Sequence, residues 1–205
     1  MEIRPEALSP QAVHQLLISI VVPRPIAWVS TLSPEGCRNL APFSFFMGVT
    51  ARPPHVAFAI ARRRGGEKKD TLRNIEATGE CVVNIADAAL AEAMNLTSAE
   101  APPEVDEFEL AGLTPVPSLL VRPPRVKEAP LAMECRAERI VEVGDPPCGL
   151  VIARVLLFHV RDDLYEEGRV VQQRWVAIGR LGEDLYCRVT DLFRLPRPPW
   201  PLPQG

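Results

Sequence analysis

The sequence predicts a mainly β protein, in the form of a barrel with helical attachments. Three observations support this prediction: segments typical of strands are numerous, helical segments are few, and strands follow one another without regular strand–helix–strand alternation. The chain has 205 residues, which is enough for one domain with a substantial core. We assign residues 1–195 to that domain and residues 196–205 to a proline-rich C-terminal tail.

The first predicted element is a helix. Ser9 and Pro10 are residues of the types preferred at an N-cap and at the first helical position, and Pro23 and Pro25 prevent the helix from continuing. Between these limits apolar side chains recur at helical spacing, which predicts one buried stripe made of Ala12, Val13, Leu16, Leu17 and Ile20.

Three segments with strand character follow the helix. PIAWVSTL is rich in β-favouring residues and leads into a turn at residues 33–36. The return segment, CRNLAPFSFFMGVT, is apolar but contains Pro42, so we expect a bulged or irregular strand. In ARPPHVAFAIA one face carries Val56, Phe58 and Ile60 while the other carries only alanines, which leaves space for another group to approach.

A basic loop, RRRGGEKKDTLRNI at residues 62–75, comes next. Six cations and two carboxylates give this segment a charge of +4, although the chain as a whole carries −3. A short helix is predicted from Asp70 or Thr71 to about Thr78, with Gly79 as its C-terminal stop. A lysine, a hydroxyl and free amides at a helix start form a phosphate site in many proteins, but a loop that is simply solvated would have the same composition.

The rest of the chain adds further strands and one long loop. ECVVNIA reads as a strand, and Asp87 caps an alanine-rich helix that runs to about Asn95. Residues 96–130 are mostly loop, anchored by EVDEFELAGL. The later strands are MECRAERIVEV, LVIARVLLFHV and DLYCRV. The tail, PRPPWPLPQG, is either disordered or an extended arm laid against a neighbouring surface.

Composition excludes several classes of function. No apolar run approaches the length of about 20 residues that spans a bilayer, and no signal peptide is visible, so we expect a cytoplasmic protein that does not enter membranes. The five cysteines form no CxxC or Cys/His cluster, so we expect neither a metal site nor a disulfide framework. An acidic chain whose positive charge is confined to one loop is not typical of a nucleic-acid-binding protein.

NLAPFSFFMGV is the second candidate binding segment. It combines flat apolar side chains with one hydroxyl, Ser44, and with backbone groups that Pro42 leaves without a regular strand partner. Such a surface suits a planar heterocycle whose edge needs hydrogen bonds and whose faces need apolar cover, although three phenylalanines also fit an ordinary core.

The order of these segments resembles that of a known family. PRPIAWVSTLSPEGCRNLAPFSFFMGVTARPPHVAFAI, followed by KKDTLRNIEATGECVVNI, closely resembles the flavin reductase-like, FMN-binding split-barrel family. The resemblance continues through EAMNLTS, VDEFELAGLTPVPS, MEC, FHV and GRLGEDLYCR, and covers residues 10–190 in the same order. It looks like the longer subgroup that contains flavoredoxin and the reductase components of two-component monooxygenases.

The resemblance implies a set of FMN-binding positions. The segment matching Trp28, Val29, Ser30 and Thr31 lines the isoalloxazine and the ribityl chain in the family. The segment matching Ala41, Pro42, Phe43, Ser44 and Phe45 meets the polar edge of the ring. The phosphate is held at the positions of Ala61 and Arg62 together with Lys69, Asp70 and Thr71.

Two side chains keep alternative interpretations. Trp28 and Ser30 share one face of their strand while Val29 and Thr31 share the other, so all four cannot face one ligand, and Trp28 is either a stacking residue or core. His159 lies either near the nicotinamide or in a half-buried structural position.

The activity implied is that of an NAD(P)H:flavin reductase. A hydride would pass from NAD(P)H to FMN. NAD(P)H would bind only transiently, because the sequence has no GxGxxG fingerprint of a dinucleotide-binding domain. Hydride transfer needs no catalytic acid or base from the protein. The family also implies a homodimer with FMN near the interface and a monooxygenase or redox partner protein. The alternatives are a flavoredoxin-like electron carrier and a split barrel without enzymatic activity.

Overall fold

One antiparallel sheet of seven strands forms the body of the protein. The structure, a computed structural model, describes residues 1–200; residues 201–205, the end of the predicted tail, lie outside the described part. The strands are β1 (Ala27–Leu32), β2 (Arg38–Phe43), β3 (Phe46–Ala51), β4 (Pro54–Ile60), β5 (Glu80–Ile85), β6 (Pro115–Val116), β7 (Arg125–Val126), β8 (Leu131–Val143), β9 (Cys148–Val160), β10 (Tyr165–Glu166), β11 (Arg169–Val170), β12 (Ile178–Arg180) and β13 (Tyr186–Arg188).

Within residues 1–200, four α-helices accompany the strands. They are α1 (Pro10–Ile20), α2 (Asp70–Thr78), α3 (Ala91–Leu96) and α4 (Glu107–Leu110), and short 3₁₀ turns occupy Pro5–Ala7, Ala88–Leu90, Asp162–Leu164 and Gln172–Arg174. Gly79 ends α2 in the left-handed conformation, at φ 72°, as predicted. The mainly β class with helical attachments is therefore confirmed.

The sheet curls so that the end of β2 packs against β4, next to the opposite edge. Its strand order is β2-β1-β5-β8-β9-β4-β3, and the two edge strands, β2 and β3, are consecutive in the chain. At their junction the amide of Ala59 donates to the carbonyl of Phe45 at 2.9 Å, and the rings of Phe43 and Phe58 stack with centroids 6.2 Å apart. The predicted irregular return strand is thus two strands divided at residues 44 and 45, and β3 has a register shift between Gly48 and Thr50.

Two hydrophobic cores lie on opposite faces of β1. Val29 faces the barrel interior, where α2 closes one end through Leu72 and Ile75. Trp28 faces a second core under α3, α4 and the long loop, which it shares with Met94. Because both faces of β1 are covered, the strand has little exposed surface along its length.

The long loop is fixed to the sheet at two places. Phe108 of α4 is fully buried in the second core, as expected for the EVDEFELAGL segment. Glu134 on β8 is fully buried and accepts hydrogen bonds from the amides of Leu119 (2.8 Å) and Leu120 (2.6 Å) and from Nε2 of His159 (2.6 Å). The loop is therefore a structured part of the domain.

The prediction of a buried stripe on α1 is wrong. The helix has the predicted start, since Oγ of Ser9 accepts from the amide of Ala12 at 3.2 Å, but Ile18 is its one buried residue. Leu16, Leu17 and Ile20 are 37%, 47% and 67% exposed. The apolar face points away from the body because α1 contacts it through Ile18 and through C-terminal carbonyls that Arg24 binds.

Candidate functional site

Two adjoining cavities form a groove beside the edge strand β2. The smaller cavity, of about 70 Å³, lies at the start of α2, and the larger, of about 400 Å³, lies between α1, α3 and the β12–β13 turn. Pro42 and Ser98 belong to the walls of both, so one ligand could occupy the two together. A proline is compatible with this position because β2 has no strand partner on its outer side.

The backbone at the start of α2 has free donors. Lys69 is the N-cap residue, with φ −66° and ψ 151°, and no side chain caps the helix. The amides of Leu72 and Arg73 turn back to the carbonyl of Lys69, whereas those of Asp70 and Thr71 find no acceptor among residues 1–200. Two free N–H groups and the positive end of the helix therefore face the smaller cavity.

Hydrogen bonds to the sheet hold the helix in this orientation. Thr31 and Asn39 are cross-strand neighbours on β1 and β2. Nδ2 of Asn39 donates to Oγ1 of Thr71 at 3.0 Å, and Nδ2 of Asn74 donates to Oγ1 of Thr31 at 3.0 Å. Since Oγ1 of Thr71 is an acceptor in the first of these bonds, its own proton remains available to a ligand in the cavity.

The cations of the basic loop differ in their partners. Arg62 pairs with Glu142, Arg63 with Asp70, and Lys68 with Glu76. Lys69, which lines the smaller cavity, forms no ion pair with any carboxylate in the described part of the chain. Lys69 is half-buried, and its positive charge is thus available to an anion.

Arg63, rather than Arg62, reaches the cavity. Arg62 donates from Nε to the carbonyl of Pro147 at 2.9 Å and pairs with Glu142 at 2.5 Å, which directs it to the β8–β9 hairpin. Arg63 lines the smaller cavity, and its Nε is buried without a hydrogen-bond partner among residues 1–200. An orphaned buried donor beside free amides fits a missing anionic group.

Two carboxyl groups also belong to the wall of the smaller cavity. The carboxylate of Asp70 accepts from Arg63 and Arg73 and is neutralised by them, so only its amide is free for a ligand. Glu107 is 7% exposed, and its Oε2 accepts from the amide of Leu40 at 3.0 Å. Burial raises the pKa of Glu107, and Asp70 and Asp106 act in the same direction, which favours the neutral form beside an anion.

The larger cavity joins apolar and cationic groups. Pro42 and Phe45 form one side, and the hydroxyl of Ser44 accepts from Nε of Arg24 at 3.2 Å. The guanidinium of Arg24 lies 5.8 Å from the centre of the Phe45 ring, and Arg180 occupies the opposite wall with Tyr186. This end suits a flat ligand with a polar, electron-rich edge.

The predicted residues of β1 lie behind the groove. Trp28 is fully buried and its Nε1 donates to Oγ1 of Thr97 at 2.9 Å, so its side chain is core in this structure. Val29 packs in the barrel, and Oγ of Ser30 donates to the carbonyl of Pro124 at 2.5 Å. Thr31 supports α2 through Asn74. None of these four residues lines either cavity, and their contact with a flavin stays a prediction.

Three other predicted residues lie outside both cavities. Phe43 is part of the barrel core, Ala61 is exposed after β4, and His159 on β9 contacts Glu134. The groove therefore brings together seven of the predicted positions: Ala41, Pro42, Ser44, Phe45, Lys69, Asp70 and Thr71.

Sequence reasoning missed several groups of the wall. Asn39, Ser98 and Glu107 stand next to or inside segments that carry the family resemblance, but their roles depend on contacts between distant segments. Arg24 lies between two prolines, where nothing in the sequence shows that its side chain turns under α1. Within residues 1–200 no three His, Cys, Asp or Glu side chains form a metal-binding group, and none of the helices there is long and apolar enough to cross a membrane.

Comparisons place the chain among known proteins. A family model described as "Flavin reductase like domain" matches residues 19–177. Nitrilotriacetate monooxygenase component B from Bacillus cereus is 40% identical, with a TM-score of 0.92 over 95% of this chain and 98% of that one. The 2-nitrobenzoate 2-nitroreductase NbaA of Pseudomonas fluorescens is 33% identical, with a TM-score of 0.90 over 100% of both chains. A split-barrel-domain protein from Shewanella frigidimarina is 25% identical, with a TM-score of 0.83 over 96% and 99% of the two chains.

Proposed function

Since this chain belongs to the flavin reductase-like domain family and is a flavin-related oxidoreductase with a split-barrel fold, we propose that it binds FMN in the groove beside β2 and reduces it with NAD(P)H. The observation that supports this most strongly is the start of α2. There an unpaired lysine, two free amides and a threonine hydroxyl converge on one small cavity.

The smaller cavity is the proposed phosphate site. Lys69 would supply charge, the amides of Asp70 and Thr71 would supply backbone donors, and Nε of Arg63 would gain the partner that it lacks. Hydrogen bonds between a charged group and such donors are about twice as strong as neutral ones. Arg62, which the resemblance implied here, would act only by fixing the β8–β9 hairpin.

The larger cavity is the proposed site of the flavin ring. Pro42 and Phe45 offer apolar cover, and Ser44 offers a hydroxyl whose orientation Arg24 fixes. Bound FMN would supply the redox chemistry by accepting a hydride, so the protein has to position the reactants and exclude water.

Partners are also part of the proposal. One similar structure is named as component B of a monooxygenase, which supports a partner oxygenase that would use the reduced flavin. We propose a homodimer because side chains of α1 and β3, including Ile20 and Met47, expose large apolar surfaces in the single chain. A second copy would cover this surface and border the open groove.

An anaerobic titration tests the activity. Purified protein is loaded with FMN, and NADH or NADPH is added without oxygen while the visible flavin absorbance is followed. We expect stoichiometric bleaching with at least one nucleotide, and recovery of the colour when air is admitted. Tight FMN binding without bleaching by either nucleotide would instead favour the electron carrier, and a protein that binds no FMN would exclude both activities.

A further inference from the structure

Two arginines at the ring end of the groove lack a carboxylate partner. Arg24 and Arg180 both line the larger cavity, and neither forms an ion pair within residues 1–200. Arg24 is only 4% exposed. Buried charges in proteins are normally paired, so the buried Arg24 beside a second, half-buried guanidinium in the same cavity wall needs an explanation.

Arg24 has a structural role that accounts for part of this charge. It donates to the carbonyls of Ile18 at 2.5 Å, Val21 at 3.0 Å and Leu181 at 2.7 Å. Ile18 and Val21 belong to the C-terminal turn of α1, whose partial negative charge attracts a cation. Arg24 therefore connects α1 to the β12–β13 turn by hydrogen bonds, and the carbonyl groups that it binds partly balance its charge.

Arg180 has no comparable compensation. Its guanidinium lies 4.4 Å from the centre of the Tyr186 ring and donates to the Tyr186 hydroxyl and to the carbonyl of Glu183. Its Nε has no acceptor in the described part of the chain, and the Glu183 carboxylate, although in the same cavity wall, does not pair with it. These contacts fix the plane of the guanidinium and leave donors available to a ligand.

The backbone holds the two arginines together. The amide of Arg24 donates to the carbonyl of Arg180 at 2.9 Å, and the reverse bond is 2.8 Å. Burial, and then the charge of Arg180, lowers the pKa of Arg24. Mutual repulsion of this kind is relieved when negative charge arrives in the cavity.

We propose that Arg180, supported by Arg24, binds the negative charge that the flavin ring acquires on reduction, so that the groove holds reduced FMN more tightly than oxidised FMN. This inference rests on the proposed function. A hydride carries one proton and two electrons from C4 of the dihydronicotinamide to N5 of the flavin: the C4–H bond breaks, an N5–H bond forms, and the donor becomes a cationic nicotinamide. The reduced ring would then carry one extra negative charge, which the guanidinium of Arg180 would bind.

Binding of oxidised and dithionite-reduced FMN under nitrogen tests the proposal. Wild-type protein is compared with Arg180→Gln, which removes the charge, and with Arg180→Lys, which keeps the charge but loses the planar fork. Arg174→Gln is the matched control, because Arg174 pairs with Glu166 away from the groove. One hydrogen bond between charged groups corresponds to about 10- to 100-fold in affinity.

We expect Arg180→Gln to weaken binding of reduced FMN by about 10- to 100-fold more than binding of oxidised FMN. Arg180→Lys should keep most of the preference, and Arg174→Gln all of it. Equal losses for both forms in Arg180→Gln, or no loss for either, would overturn the inference while leaving the proposed function intact. Wild-type protein that binds neither form would overturn both.

Discussion

At the scale of single residues, Lys69 differs from most cations of the basic loop because it lines the smaller cavity and forms no ion pair within residues 1–200. Most cations of the basic loop are bound by carboxylates that come from other elements, such as Glu142 on β8 and Glu76 on α2. Lys69 precedes a helix whose first two amides are also free. The anion-binding capacity of the loop thus depends on the cations that line the cavity, Lys69 and Arg63, rather than on its total charge.

This distinction marks the limit of prediction from sequence at the site. The spacing of Lys69, Asp70 and Thr71 before a helix is a local signal, and the sequence predicted it correctly as a helix start. The choice between Arg62 and Arg63 is not local, because Arg62 is turned away by Glu142 and Pro147, about 80 residues later in the chain. Trp28 was ambiguous for a similar reason, since both faces of its strand are covered.

Glu107 gives a prediction about pH. Its pKa is raised in the folded protein, so its contribution to stability is fully present below the unfolded value of about 4.3 and is lost as the pH rises through the folded value. Glu107→Gln should remove this loss of stability, so the free energy of unfolding should change less with pH above pH ~4.3. Urea unfolding of both proteins at a series of pH values measures the difference, and parallel curves would refute the assignment.

At the scale of elements, the loop of residues 117–121 depends on one buried carboxylate. Burial raises the pKa of Glu134, but the amides of Leu119 and Leu120 and the side chain of His159 outweigh this effect, and the pKa is lowered overall. Stability from this group is therefore present above the unfolded pKa of about 4.3 and is lost as the pH falls through the folded value.

We expect Glu134→Gln to destabilise the protein by about 1–3 kcal/mol at neutral pH, because Oε1 and Oε2 of the carboxylate each accept from one backbone N–H, whereas an amide replaces one of these oxygens by an NH2 donor. The same change should reduce the acid sensitivity of unfolding. Thermal melts at pH values on both sides of ~4.3 measure both effects. Glu104→Gln, which removes an exposed carboxylate that forms no ion pair within residues 1–200, is the control and should leave the acid limb unchanged.

The second core positions the wall of the groove. Phe108 is fully buried on α4, next to Glu107, and packs with Trp28 and Met94. Phe108→Ala should cost about 3–5 kcal/mol, as for other large-to-small core changes. Phe108→Leu, which retains much of the volume, should cost less. Chemical denaturation measures both costs, and a small cost for the alanine variant would contradict the description of α4 as an anchor.

At the scale of the whole molecule, the sequence predicts the fold class and the order of the elements better than it predicts which residues are exposed. The many strands and the absence of strand–helix–strand alternation predicted a mainly β barrel, and the seven-stranded curled sheet agrees. The apolar stripe of α1 was wrongly assigned to the core, because periodicity shows which face is apolar but not what covers it.

The exposed edge strand β3 leads to a prediction about assembly. Met47 and Val49 are 59% and 45% exposed, and an apolar edge of this kind is normally covered. We expect a dimer in solution by light scattering, and we expect Met47→Lys with Val49→Lys to convert it to a monomer. Leu185→Lys, on the β12–β13 turn, is an exposed control. A wild-type monomer would exclude a dimer built on this edge.

The central claim is that the start of α2 binds the phosphate of FMN, and the relative affinity for FMN and riboflavin tests it most directly. Riboflavin lacks the phosphate, so Lys69→Ala combined with Thr71→Ala should weaken the binding of FMN by about 100-fold or more and leave the binding of riboflavin nearly unchanged. Each lost hydrogen bond to a charged group corresponds to about 1.5–3 kcal/mol. The single variant Lys69→Ala keeps the contact between Thr71 and Asn39, so it tests the lysine alone if the double variant fails to fold. Lys68→Ala is the control, because Lys68 pairs with Glu76. Equal losses for FMN and riboflavin, or none for either, would contradict the account.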